Sequence, residues 1–496
     1  MKKNSLSKSQ FMDGLRCPRL LWLEINRPEL ADPLDEQSKY LLEMGHRVEE
    51  YARQVFPGGL LIGNGHSGSF AQSLEETELA MKSEWPFLYE AAFASETMRC
   101  RIDILNRTCR NRWLLAEVKM SSQVKPEFLD DIAFQISCMR EAGYAVDKSY
   151  LVHIYNQYVR NGEIEPAKMF TSVELTEKVA AKAIIVPARV NQLLGLLYKG
   201  IEPRANLGTR CKDPGKCRFY QYCHSGIPEG SVYELPYGGK LIPELLAKGI
   251  TKLVDIPPTT PLSERQRALV QSAKTGKAVI NVRAIKEFLG QFKYRRLCLL
   301  DFEGLGSHNP LPNFQNSAPY ERIPFQFSLH VQETKNGELT HYEFLPETRD
   351  DPRPRLCEAL LDFLGTSGSI IAWNASYEKS VLSTLSVRFP KYSERIKALQ
   401  DRFVDLMIPF RSGAYTDYRC HGSASIKKVL PILVPNLSYG DLNIAQGDVA
   451  SLKFQKYIDG QISDVEWKAT MKDMLRYCSL DSQAMVEILN VLYKSV

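Results

Sequence analysis

The chain has 496 residues, which is too long for one hydrophobic core and predicts about two to four domains. Hydrophobic residues make up 44% and charged residues 24%, which is typical of soluble globular proteins and argues against collagen-like, coiled-coil and disordered chains. The net charge of +5 is compatible with nucleic acid as a partner but does not argue for it alone. We see no signal peptide and no run of the roughly 18 apolar residues that a membrane span needs. We therefore expect a cytoplasmic protein with reduced cysteines and no membrane partner.

The first part of the chain has the pattern of an α/β unit, in which helical periodicity alternates with short β-rich runs. The elements predicted there, in chain order, are helices at 36–56 and 69–90, a hairpin of strands at 99–105 and 113–119 joined by a turn at 106–111, a helix at 126–142, a strand at 148–155 and a helix at 172–197. A cysteine-rich loop at 207–224 and a Gly/Pro-rich stretch follow, which indicates the end of this unit.

A second α/β pattern begins after a stretch of small helices separated by prolines. The elements predicted for it are strands at 297–302, 324–331, 342–345 and 369–373 and helices at 377–388, 425–431 and 466–493. No internal repeat is visible, so the two halves are predicted to be different folds. The predicted domains are residues 1–235, a helical connector at 236–292, and residues 293–496.

Acidic residues on the predicted hairpin form the first candidate site. Glu117 and Lys119 are two residues apart on a strand, so both side chains leave the same face. Asp103 lies on the preceding strand, and Gln135 lies on the face of the next helix that returns over the site. Two carboxylates bind a hard cation such as Mg²⁺, and a lysine beside them can stabilise developing charge. A Glu-x-Lys tripeptide alone is more often an ordinary surface pair.

Together these residues resemble the PD-(D/E)XK nucleases of the RecB type, among them the exonucleases of CRISPR adaptation and the AddB nuclease. The resemblance covers residues 5–225 and implies a restriction-endonuclease-like core. It also implies that Asp103 and Glu117 bind Mg²⁺ or Mn²⁺ and that Lys119 and Gln135 act in catalysis.

Two helix motifs of these nucleases occur here in altered form. Their Gly-x-x-x-His motif reads Gly45-His46-Arg47-Val48-Glu49, which implies Glu49 as a further metal ligand and leaves His46 as the alternative. Their Gln-x-x-x-Tyr motif begins at Gln135 and has Met139 in place of the tyrosine.

Four of the cysteines form a pattern of their own. Cys211, Cys217 and Cys223 are each six residues apart, and Cys17 lies far upstream, before the first acidic site. Four thiolates can hold a [4Fe–4S] cluster or a structural zinc, and spacing alone does not separate the two. Iron–sulfur nucleases of the RecB-like group place one cysteine before the catalytic core and three after it, which implies an iron–sulfur cluster here, with zinc as the alternative. The other seven cysteines are dispersed and are predicted to be small buried residues.

The second acidic site combines a strand with the last helix of the chain. Asp301 and Glu303 share one strand face, although an isolated Asp-x-Glu is more often a solvated strand end. Tyr477 and Asp481 are four residues apart on a predicted helix and therefore lie on one face. Between Glu303 and Tyr477 in sequence, residues 374–378 run from a strand end into a helix.

These segments resemble the three motifs of the DnaQ-like, or DEDD, exonucleases, over about residues 293–496. Motif one is Asp301-x-Glu303, motif two ends at Glu378 in place of the usual aspartate, and motif three is Tyr477-x-x-x-Asp481. The resemblance implies a ribonuclease-H-like α/β fold with a mixed sheet. It also implies four carboxylates around two cations and a water-orienting role for Tyr477. At a predicted helix start nearby, we interpret Lys427 or Lys428 as a solvated face, with a phosphate contact as the alternative.

We therefore expect a metal-dependent nuclease that acts exonucleolytically on single-stranded DNA or RNA ends and has two potential active centres. The whole chain also resembles a bacterial two-domain family of unknown function with this layout. The alternative is a nucleic-acid-binding or adaptor protein with one or both centres degenerate. The departures from the motifs at Glu49, Met139 and Glu378 favour that alternative.

Overall fold

The computed structural model describes residues 5–63, 65, 69–109, 112–204, 207–213, 215–292, 296–306, 309–334, 337–440, 442, 444 and 446–496. Parts of three sequence predictions fall outside these ranges: the end of the predicted turn at 106–111, residue 214 of the predicted cysteine-rich loop at 207–224, and the predicted domain start at residue 293.

The chain divides into two units. The first consists of Met1–Gly226 with His308–Tyr320, and the second of Ile227–Ser307 with Glu321–Val496. Residues 236–292, predicted as a separate connector, fall within the second unit. The predicted α/β class is confirmed, since the protein is 50% helical and 18% strand with mixed sheets. The assignment of the two halves to particular nuclease folds stays a prediction.

The first unit contains the hairpin and the helices predicted around it. Its helices are α1 (Lys8–Arg16), α2 (Pro18–Asn26), α3 (Glu36–Val55), α4 (Phe70–Ala80), α5 (Pro126–Glu141), α6 (Pro166–Met169), α7 (Thr176–Tyr198) and α8 (Tyr220–His224). Its strands are β1 (Leu6–Ser7), β2 (Leu60–Leu61), β3 (Phe87–Ala94), β4 (Met98–Cys109), β5 (Arg112–Lys119), β6 (Ala145–Ile154) and β7 (Phe170–Glu174).

These strands form one mixed sheet in the order β2-β3-β4-β5-β6-β7, with β1 paired to β4. The predicted hairpin is confirmed, because β4 and β5 are antiparallel neighbours. Strands β5 and β6 are parallel, and α5 provides the crossover that parallel neighbours require. The helix predicted at 69–90 is too long: α4 ends at Ala80 and β3 follows. An apolar run such as the one in β3 cannot be assigned to strand or helix from periodicity alone.

Helix α7 is the one described helix that is long and apolar enough to cross a membrane, with a mean hydropathy of 1.3. The sequence predicts a helix at 172–197 here but no membrane span. Its buried residues Val179, Ala183, Val186 and Val190 belong to the core of the first unit, which α5 also lines. Only 33% of the apolar window is buried, and Ile184 and Ile185 are exposed, so the core accounts for one face of α7.

The second unit contains the other sheet. Its helices are α9 (Leu241–Ala247), α10 (Glu264–Thr275), α11 (Val282–Leu289), α12 (Arg353–Leu364), α13 (Ser376–Arg388), α14 (Ser393–Leu399), α15 (Ile408–Ser412), α16 (Ile426–Leu433), α17 (Gly447–Ile458) and α18 (Asp464–Lys494). Its strands are β8 (Val279–Ile280), β9 (Leu297–Leu305), β10 (Ile323–Gln332), β11 (Leu339–Phe344), β12 (Ser369–Ala372), β13 (Phe403–Asp405) and β14 (Tyr415–Thr416).

Five of these strands form a sheet in the order β11-β10-β9-β12-β13, with helices on both faces. The predicted mixed sheet is confirmed, because β9 is antiparallel to β10 and parallel to β12. In the central strand β9, Leu297 and Leu299 pack in the core shared with α16 and α18. Cys298 and Leu300 pack in the core on the other face, against α12 and α13. This alternation determines where the acidic end of β9 points.

Candidate metal centre

Three carboxylates converge where β9 meets α18. Asp301 and Glu303 continue the face of β9 that points towards α18, because strand side chains alternate. Asp481 of α18 faces them, and ligand-type oxygens of the three residues all lie within 4.8 Å of one another. In the part of the chain that the structure describes, this is the one set of three or more metal-binding side chains at that spacing. The predicted joining of the strand motif and the helix motif is confirmed.

Helix α18 presents Asp481 through a regular buried stripe. The helix starts at a capping box formed by Ser463 and Glu466. Tyr477 and Asp481 lie one turn apart and are both buried, as their spacing predicts. The side chain of Gln326 on β10 donates to the backbone carbonyl of Met474 at 2.9 Å, which ties the helix to the sheet.

Glu378 lies near the three carboxylates but outside their group. It is in the first turn of α13 and is 2% exposed. Its Oε2 has no hydrogen-bond partner among the described residues, which is costly for a buried carboxylate. Its charge acts on both Asp301 and Glu303. The structure therefore holds the predicted four carboxylates as three in close contact and a fourth beside them.

Burial and mutual repulsion raise the pKa of carboxyl groups in this centre. Burial, followed by the charges of Asp481 and Glu303, raises the pKa of Asp301 well above its usual range. Burial and the Asp481 charge raise the pKa of Glu303 to about 8, and burial raises the pKa of Glu378 to about 8. A divalent cation would relieve this repulsion, and an all-oxygen donor set suits Mg²⁺ or Mn²⁺. The residues therefore fit such a cation.

Tyr477 lies at the centre with a lysine beside it. Its hydroxyl accepts a hydrogen bond of 3.0 Å from the Nζ of Lys427, which also lies 5.0 Å from the centre of the Tyr477 ring. The interpretation of a solvated face is correct for Lys428, which is exposed, and wrong for Lys427, which is half-buried in this centre. The sequence alone does not distinguish an exposed lysine from a half-buried one at the start of a helix.

Three further residues contact the carboxylates and were not predicted. The hydroxyl of Tyr439 donates to Asp481, and the thiol of Cys478 donates to Asp301 at 3.6 Å. A Cβ on Gly447 would lie 2.8 Å from Glu303 Oε2, so the start of α17 approaches that carboxylate closely. Cys478 follows Tyr477 directly, whereas Tyr439 and Gly447 lie in a stretch without a periodic pattern.

The first predicted centre is also assembled, in the first unit. Glu117 is 1% exposed, and its Oε2 accepts a hydrogen bond of 2.6 Å from Gln135, as predicted for the returning helix. Its Oε1 accepts from Lys119 at 2.6 Å. Asp103 lies beside them and accepts from the backbone N–H of Val118 at 2.7 Å.

Two more charged residues belong to this cluster. Lys8 of α1 lies 2.8 Å from Glu117 Oε1, and Asp131 of α5 lies 2.6 Å from the ammonium of Lys119. Burial opposes the charge on Asp131, but Lys119 and Lys8 outweigh it and hold the pKa of Asp131 below its usual range. Asp131 precedes Gln135 by one helical turn, so its position could have been inferred. Lys8 carries no such signal.

The predicted ligands of the first centre do not fit a divalent cation as they are arranged. Glu49 is half-buried, whereas the alternative ligand His46 is exposed. Burial raises the pKa of Asp103, and the charges of Glu117 and then Glu49 add to this rise. Within the described ranges, Glu49, Asp103 and Glu117 do not form a set with ligand atoms within 4.8 Å. Both oxygens of Glu117 already accept hydrogen bonds from side chains.

The four predicted cluster cysteines lie in one part of the first unit. Cys17, Cys217 and Cys223 pack around Phe219, and the N–H of Cys217 donates to the carbonyl of Cys211 at 2.8 Å. All four thiols are free. Thiolates around one zinc lie about 3.8 Å apart if each Zn–S bond is about 2.3 Å. Among the described residues, no three of these sulfurs lie within 4.8 Å of one another.

The dispersed cysteines are buried, as predicted, at six positions: Cys100, Cys138, Cys298, Cys357, Cys420 and Cys478. The side chain of the seventh, Cys109, lies outside the described part of the chain.

Removing one charge from the acidic group should stabilise the metal-free protein. Asp301, Glu303 and Glu378 bind protons more tightly when folded than when unfolded, so stability falls as pH rises from about 4 through about 8. In chelator at pH 8, we expect Glu303→Gln to raise the free energy of unfolding by about 1–3 kcal/mol, and the gain should vanish near pH 4. Urea unfolding measures this.

The matched control for this measurement is Glu343→Gln, an exposed carboxylate on β11, which should change stability by less than about 0.5 kcal/mol. A Glu303→Gln protein that is no more stable than wild type at pH 8 would show that the carboxylates do not repel one another as described.

Comparison with known proteins gives a partial match. Residues 298–425 match a family model described as "Domain of unknown function (DUF2779)", a range that includes Asp301, Glu303 and Glu378. The chain is similar to "Uncharacterized protein MG366" of Mycoplasma genitalium, with 26% identity over 206 residues, 38% of this chain and 30% of that protein. It is also similar to "Uncharacterized protein UU173" of Ureaplasma parvum, with 27% identity over 210 residues, 38% of this chain and 30% of that protein. The chain therefore spans about 30% of the length of these relatives, whose names state no activity.

Proposed function

We propose that the protein is a divalent-metal-dependent nuclease that hydrolyses phosphodiester bonds at single-stranded DNA or RNA ends, with its catalytic centre in the second unit. One observation carries the proposal: ligand oxygens of Asp301, Glu303 and Asp481 lie within 4.8 Å of one another, with Glu303 and Asp481 buried and Asp301 half-buried. Holding three carboxylates this close in a largely buried place is unfavourable without a compensating cation, so a metal-binding role explains an arrangement that stability alone does not.

The residues of this centre divide the work. Asp301, Glu303 and Asp481 would hold Mg²⁺ or Mn²⁺, with Glu378 beside them, and the bound metal supplies activation of water and neutralisation of charge on the phosphate. The hydroxyl of Tyr477 is held in place by Lys427 and can orient the attacking water by a hydrogen bond.

Lys427 is suited to a second role at the same place. Its ammonium lies near the rings of Tyr477 and Tyr439, at 5.0 Å and 5.8 Å from their centres. It therefore places a positive charge next to an otherwise acidic group, where it can attract a phosphate oxygen. This makes Lys427 a candidate for binding the substrate backbone.

The burial of the centre favours strand ends as substrates. Glu303 is 8% exposed and Asp481 is 6% exposed. A phosphodiester reaches such recessed carboxylates more easily at a flexible single-stranded end than within a stiff duplex. The resemblance to DEDD exonucleases points to the same class of substrate.

The alternative function is nucleic-acid binding by a unit whose centre is degenerate, and one observation favours it for the first unit. There, Lys8 and Lys119 already pair with Glu117 and Asp131.

We propose that Cys17, together with the three cysteines of the loop, holds a [4Fe–4S] cluster, with zinc as the alternative, and that this cluster ties distant parts of the chain together. A cytoplasmic location would keep these thiols reduced.

Cleavage of end-labelled single strands with Mg²⁺ or Mn²⁺ tests the nuclease proposal. We expect Asp301→Asn to lower the rate by about a hundredfold or more, because it removes a metal ligand. Asp362→Asn on α12 is the matched control: its side chain is 70% exposed, and it should retain the wild-type rate. Activity that survives Asp301→Asn and is lost in Lys119→Ala would place the chemistry in the first unit. No cleavage with any strand type or metal would favour the binding alternative.

The visible spectrum of anaerobically purified protein tests the cluster. We expect a brown protein with broad visible absorbance that Cys217→Ser largely abolishes, because each thiolate binds iron. Cys357→Ala, which alters a buried cysteine of the second unit, should keep the absorbance. A colourless protein that contains one zinc per chain would contradict the iron–sulfur proposal.

A further inference from the structure

A lysine from the N-terminal helix lies at the acidic centre of the first unit. The Nζ of Lys8 is 2.8 Å from Glu117 Oε1 and 3.4 Å from Asp131 Oδ1. Its side chain is 23% exposed, whereas that of Glu117 is 1% exposed. The contact joins residues that are far apart in sequence, so the fold has to bring the lysine to this place.

The backbone around Lys8 fixes its position. Strand β1 pairs in parallel with β4, where Leu6 lies opposite Met98. Ser7 then caps α1 in a capping box with Gln10, so the helix begins immediately at Lys8. The ring of Phe11 packs 4.9 Å from that of Phe134 on α5, the helix that carries Asp131. Lys8 is therefore directed to the centre by secondary structure and core packing.

The carboxylates of Glu117 and Asp131 are already paired with ammonium groups. Glu117 Oε1 accepts from Lys8 and Lys119, and Oε2 accepts from Gln135. Asp131 also contacts both ammonium groups. Two ammonium groups thus match Glu117 and Asp131, and Asp103 beside them accepts a hydrogen bond from the backbone N–H of Val118. A divalent cation bound at Glu117 would have to displace these donors and would lie close to at least one positive charge, which is strongly unfavourable in a buried site.

We propose that the ammonium of Lys8 occupies the place of a divalent cation, so that the centre of the first unit does not bind Mg²⁺ or Mn²⁺. Replacing Lys8 by a neutral residue should then create a metal site there. The proposal does not depend on nuclease activity in the second unit, because it concerns metal binding by the first.

Manganese binding tests the proposal when the centre of the second unit is disabled by Asp301→Asn with Asp481→Asn. In that background, electron paramagnetic resonance of free Mn²⁺ should detect no tight binding while Lys8 is present. Adding Lys8→Met should produce one bound Mn²⁺ per chain, with an affinity gain of about tenfold or more. Adding Glu117→Gln should remove this site again.

Two control variants separate charge from packing. Lys8→Arg keeps the positive charge and should gain no Mn²⁺, and Lys178→Met on α7 changes an exposed lysine and should also gain none. If Lys8→Met does not fold, Lys8→Gln takes its place, since it keeps a hydrogen-bond donor to Glu117. The melting temperature of the folded variant should rise with Mn²⁺.

Two results would overturn the proposal. The first is tight Mn²⁺ binding while Lys8 is present that Glu117→Gln abolishes, because the metal would then displace the lysine in the natural protein. The second is a folded Lys8→Met or Lys8→Gln protein that gains no Mn²⁺. Either result leaves the proposed chemistry of the second unit untouched, and a loss of cleavage in Asp301→Asn would be interpreted independently.

Discussion

Repulsion between buried carboxylates is the constraint around which the second unit is built. Asp301, Glu303 and Asp481 lie within 4.8 Å of one another and raise one another's proton affinity. The sheet holds them because β9 is packed on both faces, and because the long helix α18 is fixed to β10 through Gln326. The apolar cores thus stabilise a group that would otherwise separate. Such a conflict between local electrostatics and overall packing is characteristic of functional sites.

The two units solve the same electrostatic problem in opposite ways. In the first unit, ammonium groups of Lys8 and Lys119 contact the buried Glu117 directly. In the second, the ammonium of Lys427 donates to the hydroxyl of Tyr477, and burial and neighbouring charges still raise the pKa of Glu303 to about 8. In the first arrangement, Lys8 and Lys119 offset the charges of Glu117 and Asp131, whereas the second arrangement is suited to an external cation. Although the residue types are similar, their different arrangements lead us to expect different affinities of the two centres for divalent cations.

Short periodic patterns carried most of what the sequence could predict. The period of a strand placed Asp301 and Glu303 on one face, and the period of a helix placed Tyr477 and Asp481 on another. Both follow from backbone geometry alone. The α/β class and the hairpin of β4 and β5 followed from similar patterns.

Contacts that depend on tertiary packing were not predictable. Lys8 reaches Glu117 only because β1 pairs with β4, and Tyr439 reaches Asp481 from a stretch without periodicity. The sequence predicts helix for the run in β3 because burial on both faces removes the alternation that marks a strand. Glu378 illustrates the same limit, since its place beside the other carboxylates depends on how α13 packs.

Crystals grown with Mn²⁺ would test the central claim most directly, through an anomalous difference map that locates each bound manganese. We predict a peak among Asp301, Glu303 and Asp481 and no peak beside Glu117. A peak beside Glu117, with none among the three carboxylates of β9 and α18, would contradict it.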